Sequence, residues 1–397
     1  MRSNISKFDM TIKEVINADD QREFLHLPLR LYKDSAQWIR PLDKDIEAVF
    51  DPEKNKSFRT GECVRWILKN EKQETIGRVA AFFDNKLTNK GNDQPTGGLG
   101  LFECINDQRA AFMLFDQCKQ WLQSKGMEAM DGPVNFGSRD RWWGVLIEGH
   151  DRQPNYQCNY NLPYYKDLFE AYGFQVYFYQ LTFGRQVTGP LDEKLYAKAD
   201  LVARDPDYRF GFLKKKDWNV LADKIREVYN KAWANRGEIP ELTDAQAKLI
   251  VKQMKPIMDE TLIWFGYYKE EPIAFFLSLP EVNQIFKHVN GKLDLVGKLK
   301  FLWHQLMKTN RKAFGVLFGV VPAHQGKGVD GAIIEAFRQV HQNSFKRYDD
   351  YEMNWIGDFN TKMIRVCEQI NAVVVKRHAT YRILFDRTKP FKRFPIK

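Results

Sequence analysis

Along this chain the apolar residues recur at two spacings, and the changes from one to the other lay out an order of elements. Alternation of the strand kind runs from Phe8 to Val15. The acidic pair Asp19-Asp20 then caps a helix carrying Leu25, Leu29 and Tyr32, and Trp38-Ile39-Arg40-Pro41-Leu42 forms a loop. Val64 to Leu68 and Thr75 to Phe83 read as two antiparallel strands, and the polar, glycine-rich stretch Asn85 to Gly98 as a loop. Gly98 to Ile105 is another strand. Gln108 to Lys125 places Phe112, Phe115, Cys118, Trp121 and Leu122 on one face of a helix. Tyr164 to Phe174 closes the half, and the strand Gln175 to Phe183 follows it.

A charged connector from about Gln186 to Asp207 leads to a second series. It opens with strand Tyr208 to Leu213, helices Trp218 to Asn235 and Thr243 to Met258, and strands Thr261 to Tyr268 and Pro272 to Leu279. The insertion Glu281 to Lys312 mixes Leu295, Leu299, Leu302, Trp303 and Leu306 with Lys298, Lys300, Lys308, Arg311 and Lys312. A basic amphipathic helix of this kind can lie on anionic lipid, cover an acyl chain or pack on its own domain. Ala313 to Val321 is a buried strand stopped by Pro322, and Ile333, Ile334, Phe337 and Val340 mark the helix after Gly326-Lys327-Gly328. Strand Tyr351 to Ile356, a helix headed by Asp358-Phe359-Asn360, strands Ala372 to Lys376 and Thr380 to Phe385, and a basic aromatic tail complete the order.

Strand, glycine loop and helix in that order make an anion seat. The first N–H groups of a helix lack intrahelical partners and lie at the positive end of its dipole, and glycines let a ligand approach them. Lys327 adds a cation.

At 397 residues the chain suits about two domains. No apolar run reaches the roughly 18 residues of a membrane span, and MRSNISKFDM lacks the apolar core of a signal peptide, so a cytoplasmic protein is expected. The five cysteines are scattered, odd in number and without a CxxC pair, which indicates neither a zinc site nor a disulfide framework. No Gly-x-Ser-x-Gly occurs, and no metal is expected. The net charge of +10 favours an anionic partner: the phosphates of CoA, a nucleic acid or a lipid surface.

Val320-Val321-Pro322-x-x-Gln325-Gly326-x-Gly328 resembles the acyl-CoA loop of the GNAT superfamily of acyltransferases, whose pattern is Gln/Arg-x-x-Gly-x-Gly/Ala. The match ends at Asp330, where the family has Gly or Ala and a carboxylate would face pyrophosphate. Leu168 to Phe174 is similar to the family's ending Leu-Tyr-Glu-Lys-Leu-Gly-Phe, and Val366 to Ala372 holds the equivalent place in the second series, which argues for a duplicated fold. The first half has Asn106-Asp107-Gln108-Arg109 where a Gly-x-Gly would stand. Trp38 to Leu42, Gly132 to Phe136, Tyr160 to Tyr165 and Gln325 to Asp330 also resemble a bacterial group of tandem GNAT-fold proteins.

The resemblance implies two fused GNAT-like domains, each a mixed, mainly antiparallel twisted sheet flanked by helices. They would span 1–186, with a degenerate cofactor loop, and 208–397, with the inserted basic helix at about 281–312 and a connector at 187–207. It implies N-acyl transfer from acetyl-CoA or a longer acyl-CoA to an amine. Val320 and Val321 would hold the pantetheine arm, Gln325, Gly326, Lys327, Gly328 and Val329 the pyrophosphate, and Asn360 would orient the cofactor. The family's helix tyrosine is replaced by Phe169 and Cys367, so Tyr381 is the candidate acid and Asp358 the candidate base, although each has a structural role open to it. Arg139, Arg141, Trp142, Trp143 and Tyr160 form the candidate acceptor pocket, with core packing of the aromatics as the alternative. Rival readings are an aminoacyl-tRNA-dependent transferase of the Fem type and a non-catalytic ligand or lipid-surface protein. The acceptor, the acyl length and the oligomeric state are not legible.

Overall fold

The structure is a computed structural model that describes residues 10–138, 141–233 and 240–396. Among these residues the strands are β1 Thr11–Glu14, β2 Gly61–Lys69, β3 Thr75–Asp84, β4 Thr96–Cys104, β5 Ala129–Gly132, β6 Val145–Glu148 and β7 Gln175–Gln186 in the first half. The second half contributes β8 Tyr208–Phe212, β9 Ile263–Tyr268, β10 Glu271–Pro280, β11 Lys312–Val320, β12 Asp350–Gly357 and β13 Val373–Leu384. The two expected strands at the end of the chain are thus a single one.

All of them join one mixed sheet, in the order β1-β2-β3-β4-β5-β13-β7-β12-β11-β10-β9-β8, with β6 on β13. Neighbours are antiparallel except at two places, β4 with β5 and β11 with β12. A parallel neighbour requires a crossover, and each crossover is a helix. Gln108–Ser124 crosses in the first half, burying Ala111, Leu114, Phe115, Cys118 and Leu122, and Val329–Asn343 crosses in the second, burying Ile333, Ile334 and Phe337.

The halves exchange their last strands. First-half β7 lies against second-half β12, from Gln186↔Asp350 to Gln180↔Gly357, while β13 inserts between β7 and first-half β5, with Tyr381 opposite Gly132. The sheet is therefore continuous, and Ala379, Tyr381 and Ile383 of the second half pack in the first half's core.

The connector also folds. Asp192 accepts from the N–H groups of Lys194 and Leu195 and starts a helix, Glu193–Arg204, that buries Leu195, Ala199 and Val202. Leu195 and Ala199 meet the crossover helix at Gly331, where a Cβ would stand 2.8 Å from the Leu195 side chain. In the insertion a helix forms over Leu295–Leu306.

Candidate functional site

β11 and β12 pair only from Lys312↔Asp350 to Gly315↔Met353. Beyond Gly315, β11 keeps its β10 partners through Val320↔Ala274, whereas β12 bends, with Trp355 at φ 62° and its register with β7 shifted between Met353 and Ile356. The diverging strands leave a wedge of about 240 Å³ lined by Phe276, Leu317, Phe318, Ile334, Trp355 and Met363, among others. Its lining is mostly apolar. Main-chain groups on the β12 side of β11 have lost their strand partner there, and a bound amide could take their place.

In the first half the parallel pair also stops early, at Gly98↔Asp131. That wedge is filled by the chain itself. The Val134 N–H donates to the Leu99 carbonyl at 2.7 Å, and a Cβ on Gly100 would collide with the Val134 carbonyl. Val134 thus closes the gap beside Leu99 and Gly100, and the turn Asn106 to Arg109 contains no glycine.

The glycine loop follows β11 and heads the crossover helix, and its residues are not among those lining the wedge. Gly326 and Gly328 have φ of 74° and 97°, in the left-handed region where glycine is the usual residue, and Gly328 caps the crossover helix. Gln325, Gly326 and Lys327 are exposed, and the Gln325 N–H donates to the Pro322 carbonyl at 3.2 Å. Gln325 Nε2 donates to the Val320 carbonyl at 2.7 Å, and His324 Nδ1 lies 2.8 Å from the Tyr208 hydroxyl, which ties the loop to β11 and β8. Val320, Val321 and Val329 are buried, and the Val321 N–H donates to the Ile273 carbonyl at 2.9 Å. Asp330 is half-buried in the first helical turn. Asn360 lines the wedge while its Oδ1 accepts from the Met363 N–H at 3.2 Å, so it caps its own helix.

A second cavity of about 290 Å³ opens on the first-half side. Phe82, Phe136, Phe178, Phe359 and Phe394 give it apolar walls, and its lining also includes Trp143, Gln180, Trp355 and the pair Asp131–Arg382. Arg382 Nε and Nη2 donate to the two Asp131 oxygens at 2.6 and 2.8 Å, and its guanidinium lies 3.6 Å from the centre of the Tyr177 ring. Burial opposes the Arg382 charge, but the Asp131 carboxylate outweighs it and raises the guanidinium's proton affinity. Trp143 Nε1 donates to Thr380 Oγ1 at 2.7 Å. Trp355 lines both spaces.

At the closed end of the wedge sits a buried charge centre. Lys312 Nζ donates to Glu352 Oε1 at 2.9 Å, and Lys376 Nζ and Asn155 Nδ2 donate to Oε2, each at 2.7 Å. Burial works against the Glu352 carboxylate, but the Lys376 and Lys312 ammoniums outweigh it and hold its pKa at about 2. Burial in turn lowers Lys376. The centre ties β11, β12, β13 and the first-half loop at Asn155 together.

Several candidate residues stand elsewhere. Tyr381 is fully buried among first-half residues, its ring centre 5.4 Å from that of Phe169 and tilted by 30°, and it donates to Glu170 Oε1 at 3.0 Å. Tyr381, the candidate acid, thus stands away from the second-half wedge, because strand exchange carries β13 beside β5. Burial and Glu170 raise its pKa, which weakens it further as an acid. Asp358 lines neither cavity; Arg393 Nη2 donates to its Oδ2 at 2.7 Å. Trp142, placed in the acceptor pocket from sequence, instead packs with Phe24, Ile46 and Phe136 in a small core. Tyr160 lines neither cavity and donates to the His150 carbonyl at 3.0 Å. Arg141 is exposed, and Arg139 lies outside the described residues. Sequence reading missed Trp355, Asp131, Arg382 and Glu352; the signal available was a bulky aromatic at the end of the strand that follows the glycine-loop helix.

Among the described residues no group of three or more His, Cys, Asp or Glu is arranged to hold a metal, and no helix is long and apolar enough to cross a membrane. No family model matches the chain. It is 26% identical to protein YghO of Escherichia coli strain K12 over 387 residues, 96% of each chain. It is 24% identical to the bacterial ceramide synthase of Caulobacter vibrioides over 383 residues, 94% of this chain and 97% of that one. Among solved structures it is similar to a tandem GNAT protein from the clavulanic acid biosynthesis pathway, with a TM-score of 0.51 and 10% identity over 97% of this chain and all of that one. With two parallel joints, two crossover helices and one shared sheet, the chain has the tandem GNAT fold.

Proposed function

We propose that the protein is an N-acyltransferase that moves an acyl group from acyl-CoA to the amine of a long-chain lipid base. The donor would occupy the second-half wedge and the acceptor the first-half cavity. The observation that carries the reading is that the two spaces share one wall residue, Trp355, so a thioester in one and an amine in the other approach at a single point.

The glycine loop supplies main-chain N–H groups and Lys327 for the diphosphate. The freed edge of β11 suits the amides of the pantetheine arm, and the apolar wedge suits an acyl chain. The phenylalanine-lined cavity suits an alkyl chain, with Asp131 as the carboxylate that an entering ammonium meets. The name of the Caulobacter vibrioides relative points to the same acceptor class.

The reaction forms a C–N bond to the thioester carbonyl and breaks its C–S bond. Asp358 and Asp131 are already held by Arg393 and Arg382, and Tyr381 lies in the first-half core. Transfer then rests on proximity: the amine loses its proton to water, and a thiol of ordinary pKa, about 8.5, leaves as the thiolate without an acid.

The test is mass-spectrometric detection of amide from palmitoyl-CoA offered with a long-chain amino alcohol or with short polar amines. Amide from the long-chain acceptor alone is expected. Equal use of short amines would remove the lipid-base assignment, and absence of amide from every amine would remove the transferase reading.

A further inference from the structure

The helix Leu295–Leu306 carries its large apolar residues on the outside. Leu295, Leu299, Leu302, Trp303 and Leu306 are between 52% and 79% exposed, and Val296 and Met307 beside them are more than half exposed. This is the reverse of an amphipathic helix packed on its own domain, whose apolar stripe would be covered.

The opposite side is pinned. Phe301 stacks on Phe286 with ring centres 5.5 Å apart, and His304 stacks on His288 at 3.9 Å. Gln305 Nε2 donates to the Pro256 carbonyl at 2.8 Å, Asp294 caps the first turn through the Gly297 N–H at 2.8 Å, and Gly297 leaves no room for a Cβ beside the Lys292 carbonyl. Phe301, His304 and Gln305 thus hold the helix in place, and its leucines cannot turn inward without breaking these contacts.

The flanks are cationic. At helical spacing Lys298 and Lys300 fall on opposite edges of the apolar stripe, and Lys292 and Lys308 are exposed at the two ends. Leu295 to Lys308 contains no Asp or Glu. A rigidly mounted helix with an outward stripe of leucine and tryptophan bordered by lysines matches the boundary of an anionic bilayer: apolar side chains below the headgroups, tryptophan at their level, ammoniums on the phosphates.

We infer that this helix seats the protein on the surface of an anionic phospholipid bilayer. The inference stands on the helix alone and holds whether or not the wedge transfers acyl groups. A protein surface could cover the leucines, but it would give no reason for lysines on both edges.

The test is co-sedimentation of the full chain with vesicles of phosphatidylcholine alone or with phosphatidylglycerol added. Two double variants accompany it, Leu299→Glu with Trp303→Glu and Lys298→Glu with Lys300→Glu. All four side chains are exposed, so thermal melting should be unchanged, which separates lost binding from lost fold. The wild type is expected to pellet with the anionic vesicles and to be released by high salt. The apolar-face variant should lose about tenfold or more in partitioning, and the lysine variant should lose its preference for anionic lipid. The inference is overturned if the wild type stays in the supernatant, or if the apolar-face variant binds as well as the wild type. It is also overturned if that variant abolishes a concentration-dependent dimer in a protein that ignores vesicles, which would make the stripe a contact between copies.

Discussion

The rings of Trp143 and Trp355 meet edge to face, 6.0 Å apart and inclined at 88°, one contributed by each half of the chain. Both line the larger cavity, and Trp355 also lines the wedge. A residue in that place separates the two spaces while bringing their contents together. Trp355→Ala should lower the rate of amide formation by about ten- to a hundredfold through lost positioning, while acyl-CoA affinity changes little. Calorimetry beside turnover measurements reads the two effects separately, and equal losses in both would place Trp355 in donor binding alone.

The two loop glycines should respond differently to the same change. A Cβ on Gly326 meets nothing within 4 Å and suffers only the left-handed φ of 74°, a cost of about 1 kcal/mol. A Cβ on Gly328 would stand 2.7 Å from the Lys198 carbonyl of the connector helix, so Gly328→Ala should cost about 2 kcal/mol or more and displace that helix. Thermal melting with acyl-CoA titration should show lower affinity in a stable protein for Gly326→Ala, and losses in both for Gly328→Ala. Equal stability of the two variants would contradict the packing described here.

Asp330 places a carboxylate in the first turn of the helix that would receive the diphosphate. Its charge helps the empty helix and opposes an anionic ligand. Asp330→Asn should therefore tighten CoA binding severalfold and steepen the fall of affinity with ionic strength. Weaker binding would mean that the carboxylate holds the loop in shape.

Two buried groups predict acid sensitivity. Burial holds His378 neutral down to about pH 4, against an ordinary 6.5, with Nε2 bonded to the Asn159 carbonyl at 3.0 Å. As pH falls below 6.5 the unfolded chain takes up a proton that the folded imidazole refuses, so stability is lost until about pH 4. For Glu352 burial opposes the charge but Lys376 and Lys312 outweigh it, and its contribution, present above pH 4.5, is lost between there and about pH 2. Each window is worth at most about 3 kcal/mol. Urea unfolding against pH should show His378→Gln flattening the slope between pH 6.5 and 4 and leaving the lower window intact. An unchanged slope would remove His378 as the cause.

The order of elements and the glycine loop were legible because each is local. Proline after β11, two glycines and helical spacing from Ile333 announce the crossover without reference to anything distant. Tyr381 was misplaced for the opposite reason: alternation along β13 says which residues are buried, and nothing in it says beside which strand. The adjacent indoles show the same limit. Trp142 turns into the core with Phe24 while Trp143 reaches the cavity, and Trp142's positive φ of 43°, which separates them, leaves no mark in composition. Glu352 was invisible because its partners Lys312, Lys376 and Asn155 come from separate parts of the chain. The outward face of Leu295–Leu306 followed from packing alone, since its periodicity fits burial equally well.

The most direct measurement is hydrogen exchange of the full chain with and without palmitoyl-CoA. Donor binding in the second-half wedge predicts slowed exchange in residues 316–330 and 355–363, with residues 96–109, the corresponding stretch of the first half, unchanged. Protection of 96–109, or of no segment at a saturating concentration, would contradict the assignment of the wedge as the donor site.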